Sequence, residues 1–584
     1  MNDAPNPVPP SLRPTVMGTR HVIAAGNYLS THAGFMILEA GGNAVDAGVA
    51  AGLVSNVVEP HMTGFHGITT IMVYSKDADA VSTVAGLGWW GEKSTPEWYE
   101  QNTGGKIALG GIYEAIVPGA PDGWMTALER FGTMSFGDVA ETAIRLAREG
   151  FPVHPHMAMR IAEAVEKTRK WPGCEAIFLP GGKVPAIGDV FFQRDLAATL
   201  QYLADEEKAA AAKGGREAGF KAARDAFYRG DVAETMARFH AENGGLITRD
   251  DFAAYACTVE PPLKIEWGGL DVYGLGPWSS GAMGLEILNM LDAGELKAMG
   301  HNSADYIHTL TEATKLAGAD REAYFGDPRF VDVPVDRIIS KEYAAERRKQ
   351  IRKDEAWPDI PPPGDLGGGI DAPWTGVPPQ CNAESEADPQ RNTSFVGVMD
   401  RFGNAFSSTF TDGALGAPVV PGTGLSVSHS GRGFWIDPRY PAQVGPRKRP
   451  RTGCCPMMAI RKGHEIMAWG TPGSDVIPQA QTQVFLNNQL WGLEPQEAVE
   501  APRFASYSFP QSYWPHSHEP GVLRVEDTIP QDVGDELGRR GHKVVWWPSR
   551  HWLVGSVSCV KNELDKGLVK GGSDHRRGAY VLGW

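Results

Sequence analysis

One stretch of the chain has residue types and spacing that suit nucleophilic chemistry. It reads Arg391-Asn392-Thr393-Ser394-Phe395-Val396-Gly397-Val398-Met399-Asp400, with Gly403-Asn404 closing a turn. It sets Thr393 at the head of a hairpin strand, directly after a Pro/Gly-rich segment. A threonine hydroxyl is a weak nucleophile and needs a base beside it, so such a residue at a strand start is ordinary by itself. Other catalytic templates fail: the chain has no GxSxG elbow, no HExxH and no P-loop, and GLGPWSSG after Tyr273 lacks the spacing of a dinucleotide fingerprint. His516, His518 and Glu519 could hold a metal, but two histidines at i, i+2 in a Pro-rich loop, without a third ligand nearby in sequence, read as plain loop residues. No metal is therefore expected. Cys454-Cys455 reads as buried packing rather than redox chemistry.

The elements that must position Thr393 follow from the hydrophobic pattern. Phe395 to Met399 and Ala405 to Phe410 are two short strands around the turn Asp400 to Asn404. Tyr28 to Gly42 has the pattern of an amphipathic helix ending at Gly41-Gly42, and Val45 to Val58 that of a buried helix rich in small residues. Ile68 to Tyr74, Ala80 to Ala85, Leu270 to Tyr273 and Glu465 to Trp469 read as strands. Leu203 to Phe227, Ala282 to Ala293 and Gln479 to Asn488 read as helices. Trp357 to Pro379, with PPPG and GGG, reads as an exposed linker.

Composition bounds the function. The chain has 584 residues, 55 Lys plus Arg against 70 Asp plus Glu, and a net charge of −15, which argues against a general nucleic-acid binder. The basic run Arg447, Lys448, Arg449 and Arg451 is short and reads as a surface or lid segment. No segment approaches the roughly 20 apolar residues of a membrane span, and the first residues lack the basic start and apolar run of a signal peptide. Six cysteines in a chain this long form no disulfide framework. A cytoplasmic setting, without nucleic acid or membrane as partner, is expected.

Several short segments then acquire meaning together. They are Ile37-Leu-Glu-Ala-Gly-Gly-Asn-Ala-Val-Asp-Ala47, Val57-Val-Glu-Pro60 with Gly64, Phe227-Tyr-Arg-Gly230, and Glu242-Asn-Gly-Gly-Leu246 with Asp250-Asp251. Further along come Pro277-Trp-Ser-Ser-Gly281, Ala501-Pro-Arg-Phe504 and Asp574 to Gly578. In this order over more than 500 residues, the chain resembles the γ-glutamyltransferase family of N-terminal-nucleophile hydrolases. That resemblance implies an α+β fold, the αββα sandwich of two stacked antiparallel sheets between helical layers. It also implies an inactive precursor that breaks its own backbone between Asn392 and Thr393. The large segment, 1–392, and the small segment, 393–584, would stay together as one compact body, with a homo-oligomer left open. Thr393 matches the family's nucleophile, and cleavage would free its α-amine, whose ordinary pKa of roughly 7.7–8.0 suits a base near neutral pH. Thr411 matches the threonine that holds the nucleophile, and Gly473-Ser474 the pair whose N–H groups bind the oxyanion, Ser474 standing where the family often has a second glycine.

The departures fall on the substrate clamps. The family's arginine for the γ-glutamyl α-carboxylate would lie near Leu87, and its acidic residue for the α-amino group at Gly433. The asparagine after the second threonine falls at Gly413, and the serine pair at Thr452-Gly453. In the glycine-rich loop, His66 and Thr69-Thr70 replace small residues. Arg432 is a candidate new carboxylate partner, and Trp89, Trp90, Trp435 and Tyr440 are candidate apolar walls, with His66 and Thr452 beside them. The resemblance thus implies a cofactor-free amidohydrolase or acyltransferase acting on a small-molecule amide other than an ordinary γ-glutamyl compound, such as the small acid amides of oxamate-hydrolysing relatives. The alternatives are a true γ-glutamyl hydrolase or transpeptidase with a rebuilt clamp, and a catalytically silent scaffold.

Overall fold

The structure, a computed structural model, describes residues 11–105, 110–367 and 392–584. Up to residue 367 the strands of its two large sheets are β1 (Val16–Gly18), β2 (Val22–Ala25), β3 (Thr63–Ser75), β4 (Ala80–Gly86), β5 (Thr258–Glu260), β6 (Leu263–Trp267) and β7 (Leu270–Gly274). From residue 392 on, their strands are β8 (Ser394–Met399), β9 (Ala405–Asp412), β10 (Met457–Arg461), β11 (Glu465–Gly470), β12 (Ser558–Glu563), β13 (Leu568–Ser573) and β14 (Tyr580–Gly583). They form two seven-stranded sheets, ordered β1-β13-β12-β11-β10-β7-β6 and β14-β2-β8-β9-β3-β4-β5. Every neighbouring pair in both is antiparallel. Residues on both sides of Thr393 contribute strands to each sheet, so the two segments are interleaved.

Three apolar clusters fix the layers. Val22, Ala24, Ile68, Met72 and Met399 of one sheet meet Met458, Ile466, Ala468, Val560 and Val569 of the other. The outer face of the β8-containing sheet (Ile23, Ile71, Val396, Val398, Phe406) packs on α1 (Tyr28–Glu39), α2 (Ala44–Val58), α3 (Ala120–Phe131), α4 (Phe136–Glu149) and α5 (Arg194–Tyr228). The outer face of the other sheet (Val272, Met457, Met467, Trp469) packs on α6 (Gly281–Met290), α7 (Ala304–Tyr324) and α8 (Ile477–Gln489). A sheet buried on both faces reads as continuous apolar strands, and β8 and β9 are buried along their whole lengths. The αββα expectation is met.

The Asn-Ala-Val-Asp stretch of the N-terminal signature has a structural job. Asn43 Oδ1 accepts the N–H groups of Val45 and Asp46, and Asp46 Oδ2 accepts the Asn43 N–H at 2.9 Å, a capping box for α2. Asp46 also accepts from Thr133 N–H, Thr133 Oγ1 and Met134 N–H, tying the α3–α4 turn to the same point. Asp400 does the equivalent for the β8–β9 turn. It accepts from Phe402 and Asn404 and from the Ala44 N–H at 2.8 Å, where a carboxylate suits a helix N-terminus.

Two expectations fail. Residues 357–366 are not an exposed linker. Trp357 donates its N–H to Glu312 Oε2, Lys315 Nζ donates to the Trp357 carbonyl, and Arg347 donates to the Pro362 carbonyl, which straps this piece to α7 and its neighbours. The remainder, with Cys381 and Arg391, lies outside the described residues. The basic run is not a surface segment either: Lys448, Arg449 and Arg451 are buried. Arg449 pairs with Glu260 and Asp327, and Arg451 with Glu322, while Arg447 alone is exposed beside Glu92. Burial pushes the Lys448 ammonium down to about 8, and its Nζ donates to the Pro441 carbonyl.

Candidate active site around Thr393

The β8–β9 ladder brings the two threonines together. Ser394 pairs with Phe410, and the same register carried one step places Thr393 opposite Thr411. Both hydroxyls converge on one acceptor: Thr393 Oγ1 donates to the Asn392 carbonyl, and Thr411 Oγ1 donates to the same oxygen at 2.9 Å. Thr393 is only 3% exposed. Just beyond Thr411 the pairing of β9 with β3 slips at a bulge between Thr411 and Asp412, a device that re-aims a side chain. Asp412, at φ 89°, turns into a buried polar cluster. It accepts Ser428 Oγ–H at 2.5 Å and the Ser430 N–H, and lies 3.1 Å from His429 Nε2. Burial raises its pKa while Ser428 opposes the rise. Asp412 is thus the polar residue next to the second threonine, while Gly413 packs on the His61–Met62 backbone. Its place immediately after Thr411 was the available signal.

The turn that the resemblance assigns to the oxyanion lies between β11 and α8. β11 runs into Thr471-Pro472-Gly473-Ser474, and a short 3-10 turn leads into α8. Gly473 takes φ 144° and Ser474 φ 55°, so both peptide units are turned away from the helix path that follows. Among the described residues no acceptor takes the N–H of either. Asp475 anchors the turn by accepting the Ser512 N–H at 2.7 Å and Ser512 Oγ–H at 2.6 Å, with the Arg321 guanidinium against it. From the other side Arg503, paired with Asp574, donates to the Gly555 carbonyl, and Gly555 packs against Gly473.

Thr393 borders a small cavity of about 10 Å³ whose wall includes Glu59, His156, Ser394, Pro472, Ser556 and Arg577. Sequence reasoning did not single out Glu59 as a site residue. Its Oε2 accepts Ser394 Oγ–H at 2.8 Å, and burial pushes its pKa up to about 7, partly offset by Ser394 and Arg577. A carboxyl with a raised folded pKa favours the fold while protonated and loses that contribution as pH rises through about 7. Glu59→Gln keeps an acceptor for Ser394 but cannot ionise. We expect the variant to be more stable than the wild type at pH 8, by up to about 3 kcal/mol, and to lose that advantage by pH 5. Denaturant titrations at the two pH values would show it, and an equal difference at both would contradict the assignment.

The substrate-side candidates divide. Thr452 lies near the centre: its Oγ1 accepts the Cys454 N–H at 3.2 Å. Burial pushes the Cys454 thiol up to about 12, opposed by Thr452 and Thr393, so it stays neutral. His66 lies in the Asp412 cluster, its pKa lowered to about 4 by burial against the pull of Asp412. Arg432 is buried, 3.9 Å from Glu114 and over the Tyr513 ring. It is an inward-facing charge, and Glu114 was missed because it lies over 300 residues away in sequence.

Trp90 is no wall. It is 1% exposed and packed edge-on against Tyr99 and Phe434 in the core. Trp89 is half-buried against Tyr255, with Arg329 over its ring. The Trp435 ring is stacked between Tyr440 and His516, at 3.7 and 3.8 Å, so neither face is left for a ligand. That stack also corrects His516: it is no plain loop residue but a buried ring whose two nitrogens face the Gln511 and Phe434 carbonyls. His518 sits 3.6 Å from Asp359. Among the described residues His308, Glu312 and His542 come within ligand distance of one another. Lys315 already pairs with Glu312 at 2.7 Å, and the two imidazoles hydrogen-bond at 2.9 Å, so this cluster is knit by its own bonds. No helix among the described residues is long and apolar enough to cross a membrane.

The chain is similar to known proteins over nearly its whole length. Residues 30–584 match the family model described as gamma-glutamyltranspeptidase. The chain is 34% identical over 569 residues to the acylase ACY 1 proenzyme of Pseudomonas sp. strain SE83, covering 94% of this chain and 91% of that one. It is 31% identical over 574 residues to the glutathione hydrolase-like YwrD proenzyme of Bacillus subtilis strain 168, covering 97% and 99%. The crystal structure of cephalosporin acylase from Bacillus halodurans matches with a TM-score of 0.83 at 27% identity, over 100% of this chain and 99% of that one. With its two stacked sheets and a threonine at the head of β8, the chain belongs to the gamma-glutamyltranspeptidase family and carries the fold of the N-terminal-nucleophile hydrolases.

Proposed function

We propose that this chain is a self-processing N-terminal-threonine amidohydrolase. The observation that carries the reading is the convergence of the Thr393 and Thr411 hydroxyls on the Asn392 carbonyl. In the first step Thr393 Oγ attacks the Asn392 carbonyl carbon while Thr411 stabilises the charge growing on its oxygen. Collapse with loss of the Thr393 nitrogen leaves an ester, and water releases the Asn392 carboxylate and a free threonine α-amine. In the second phase that amine takes the proton of Thr393 Oγ as the hydroxyl attacks a substrate amide. The Gly473 and Ser474 N–H groups hold the oxyanion, the leaving amine takes the proton, and water hydrolyses the acyl ester. The interleaved strands keep segments 1–392 and 393–584 in one body after cleavage. The unpaired cysteines suit a reducing compartment, and we place the enzyme in the cytoplasm.

The rate is expected to follow the neutral amine. kcat/KM should rise with pH through a single group at roughly 7–8 and level off. Restoring one residue in front of Thr393 in a two-piece co-expression should abolish turnover while the fold, followed by circular dichroism, is kept. Full activity with the amine blocked would remove the α-amine from the mechanism. A relative named as glutathione hydrolase-like keeps γ-glutamyl chemistry as a second reading, and the clamp positions weigh against it.

A further inference from the structure

The Tyr513 side chain stands in the Thr393 centre without a part in the chemistry described so far. Its hydroxyl accepts the Gly453 N–H at 3.2 Å and lies 3.5 Å from Thr452 Oγ1, at the outer limit of a hydrogen bond. Thr452 Oγ1 in turn accepts the Cys454 N–H at 3.2 Å. On the other side, the site where a side chain on Gly453 would begin lies 3.4 Å from the Ser474 carbonyl and 3.5 Å from Tyr513 Oη. The phenol therefore lies beside the Thr452-Gly453 segment, whose Gly453 also faces the Ser474 carbonyl.

It is also held there firmly. Ser512, one residue before, is pinned to Asp475, and the Trp514 N–H, one residue after, is donated to the Arg432 carbonyl at 2.9 Å. The Arg432 guanidinium lies 5.4 Å from the Tyr513 ring centre. Burial raises the phenol pKa, so the oxygen keeps its proton at any working pH. Its acceptor side is used by Gly453, whereas among the described residues its donor side has only the distant Thr452 oxygen. A half-buried donor, kept in place and left with only a long contact, is one that a ligand oxygen would complete.

We propose that Tyr513 is a specificity-determining residue that donates its hydroxyl proton to an acceptor oxygen on the acyl part of the substrate. This selects amides whose acyl group carries such an acceptor, a terminal carboxylate or carbonyl beyond the scissile one. It works against an acyl group presenting an ammonium, which has no lone pair to offer. The inference rests on Thr393 being the nucleophile, as proposed above. Because Tyr513 and Gly453 are 60 positions apart, the hydroxyl reaches this place from a separate loop, and Gly453 leaves it room.

The test uses processed wild-type enzyme and Tyr513→Phe, assayed on acetyl-, succinyl- and glutaryl-p-nitroanilide. The variant keeps the ring under Arg432 and should process normally, which is read on a denaturing gel. We expect kcat/KM on the succinyl or glutaryl compound to fall at least about tenfold, with acetyl turnover changed less than about twofold. Gly453→Ser in the Tyr513→Phe background puts a hydroxyl back beside Ser474 and should recover several-fold of the loss. An equal fall on all three compounds, no fall on any, or a processed wild type that turns over none of them overturns the proposal. An unprocessed wild type instead removes the Thr393 reading beneath it. A Tyr513→Phe chain that fails to process is replaced by Gly453→Ser alone, which should crowd the phenol and lower succinyl or glutaryl turnover more than acetyl; equal effects would again overturn the proposal.

Discussion

Thr393→Ala should leave the chain as one band on a denaturing gel, where the wild type gives two, the larger about twice the smaller. It should also abolish amide hydrolysis. The variant removes only the hydroxyl and one methyl from a residue that is already buried and paired in register, so folding should survive. Thr411→Val tests the partner hydroxyl. In the uncut chain Thr411 Oγ1 donates to the Asn392 oxygen, which would become the oxyanion in the proposed attack by Thr393. Deleting a donor aimed at developing charge typically costs about a hundredfold to a thousandfold in rate, so Thr411→Val should cut itself over hours to days where the wild type matures during expression. Thr393→Ser keeps a hydroxyl and should still process. Mass spectrometry of the small piece settles the position, since it must begin at Thr393. A wild-type chain that stays intact yet hydrolyses amides at full rate would end this mechanism.

What the sequence revealed of this centre was what local pattern encodes. The hairpin was legible because apolar strands flank the polar turn Asp400 to Asn404, and its register then sets Thr393 against Thr411. The helix beginning after Asn43 was legible through its signature, although the cap it builds became visible only in the structure. Pairings between distant parts of the chain were not legible. Arg449 and Arg451 read as a solvated basic run because their partners Asp327 and Glu322 come more than 120 positions earlier. Trp357 to Gly364 read as a linker because Pro and Gly mark irregular backbone, and irregular backbone can still be strapped to a helix. Trp435 and Tyr440 read as pocket walls because aromatic residues suit both pockets and cores, and only geometry shows them stacked on each other. Tyr513 escaped notice for the same reason as Glu114: nothing near it in sequence carries the site.

Cleavage of γ-glutamyl-p-nitroanilide and of glutathione should be negligible once the enzyme is processed, while some other amide is turned over. A γ-glutamyl group brings an α-carboxylate and an α-ammonium, and both must leave water to enter the site. Each charged hydrogen bond that would compensate is worth about 1.5–3 kcal/mol. At about 1.4 kcal/mol per factor of ten, losing two should weaken turnover at least a hundredfold, and losing the ammonium's partner alone, with Tyr513 taking the carboxylate, about tenfold or more. The structure gives both losses a physical basis. Leu87, at the expected arginine position, is completely buried in the cluster between the sheets, where an arginine would be an uncompensated buried charge. Gly433, at the expected acid position, runs so close to another segment that an added Cβ would lie 1.9 Å from the Arg451 carbonyl oxygen, while the Arg451 N–H is donated to the Gly433 carbonyl at 3.0 Å. No side chain fits there without moving the backbone that carries Arg451 and leads to Thr452. Gly433→Asp should therefore lower the melting temperature and fail to create γ-glutamyl activity, which separates a lost clamp from a merely mutated one. If the wild type instead turns over either γ-glutamyl compound with a micromolar to low-millimolar KM, the two charges have found other partners, and the choice of substrate in this chain rests on residues other than those at the family's clamp positions.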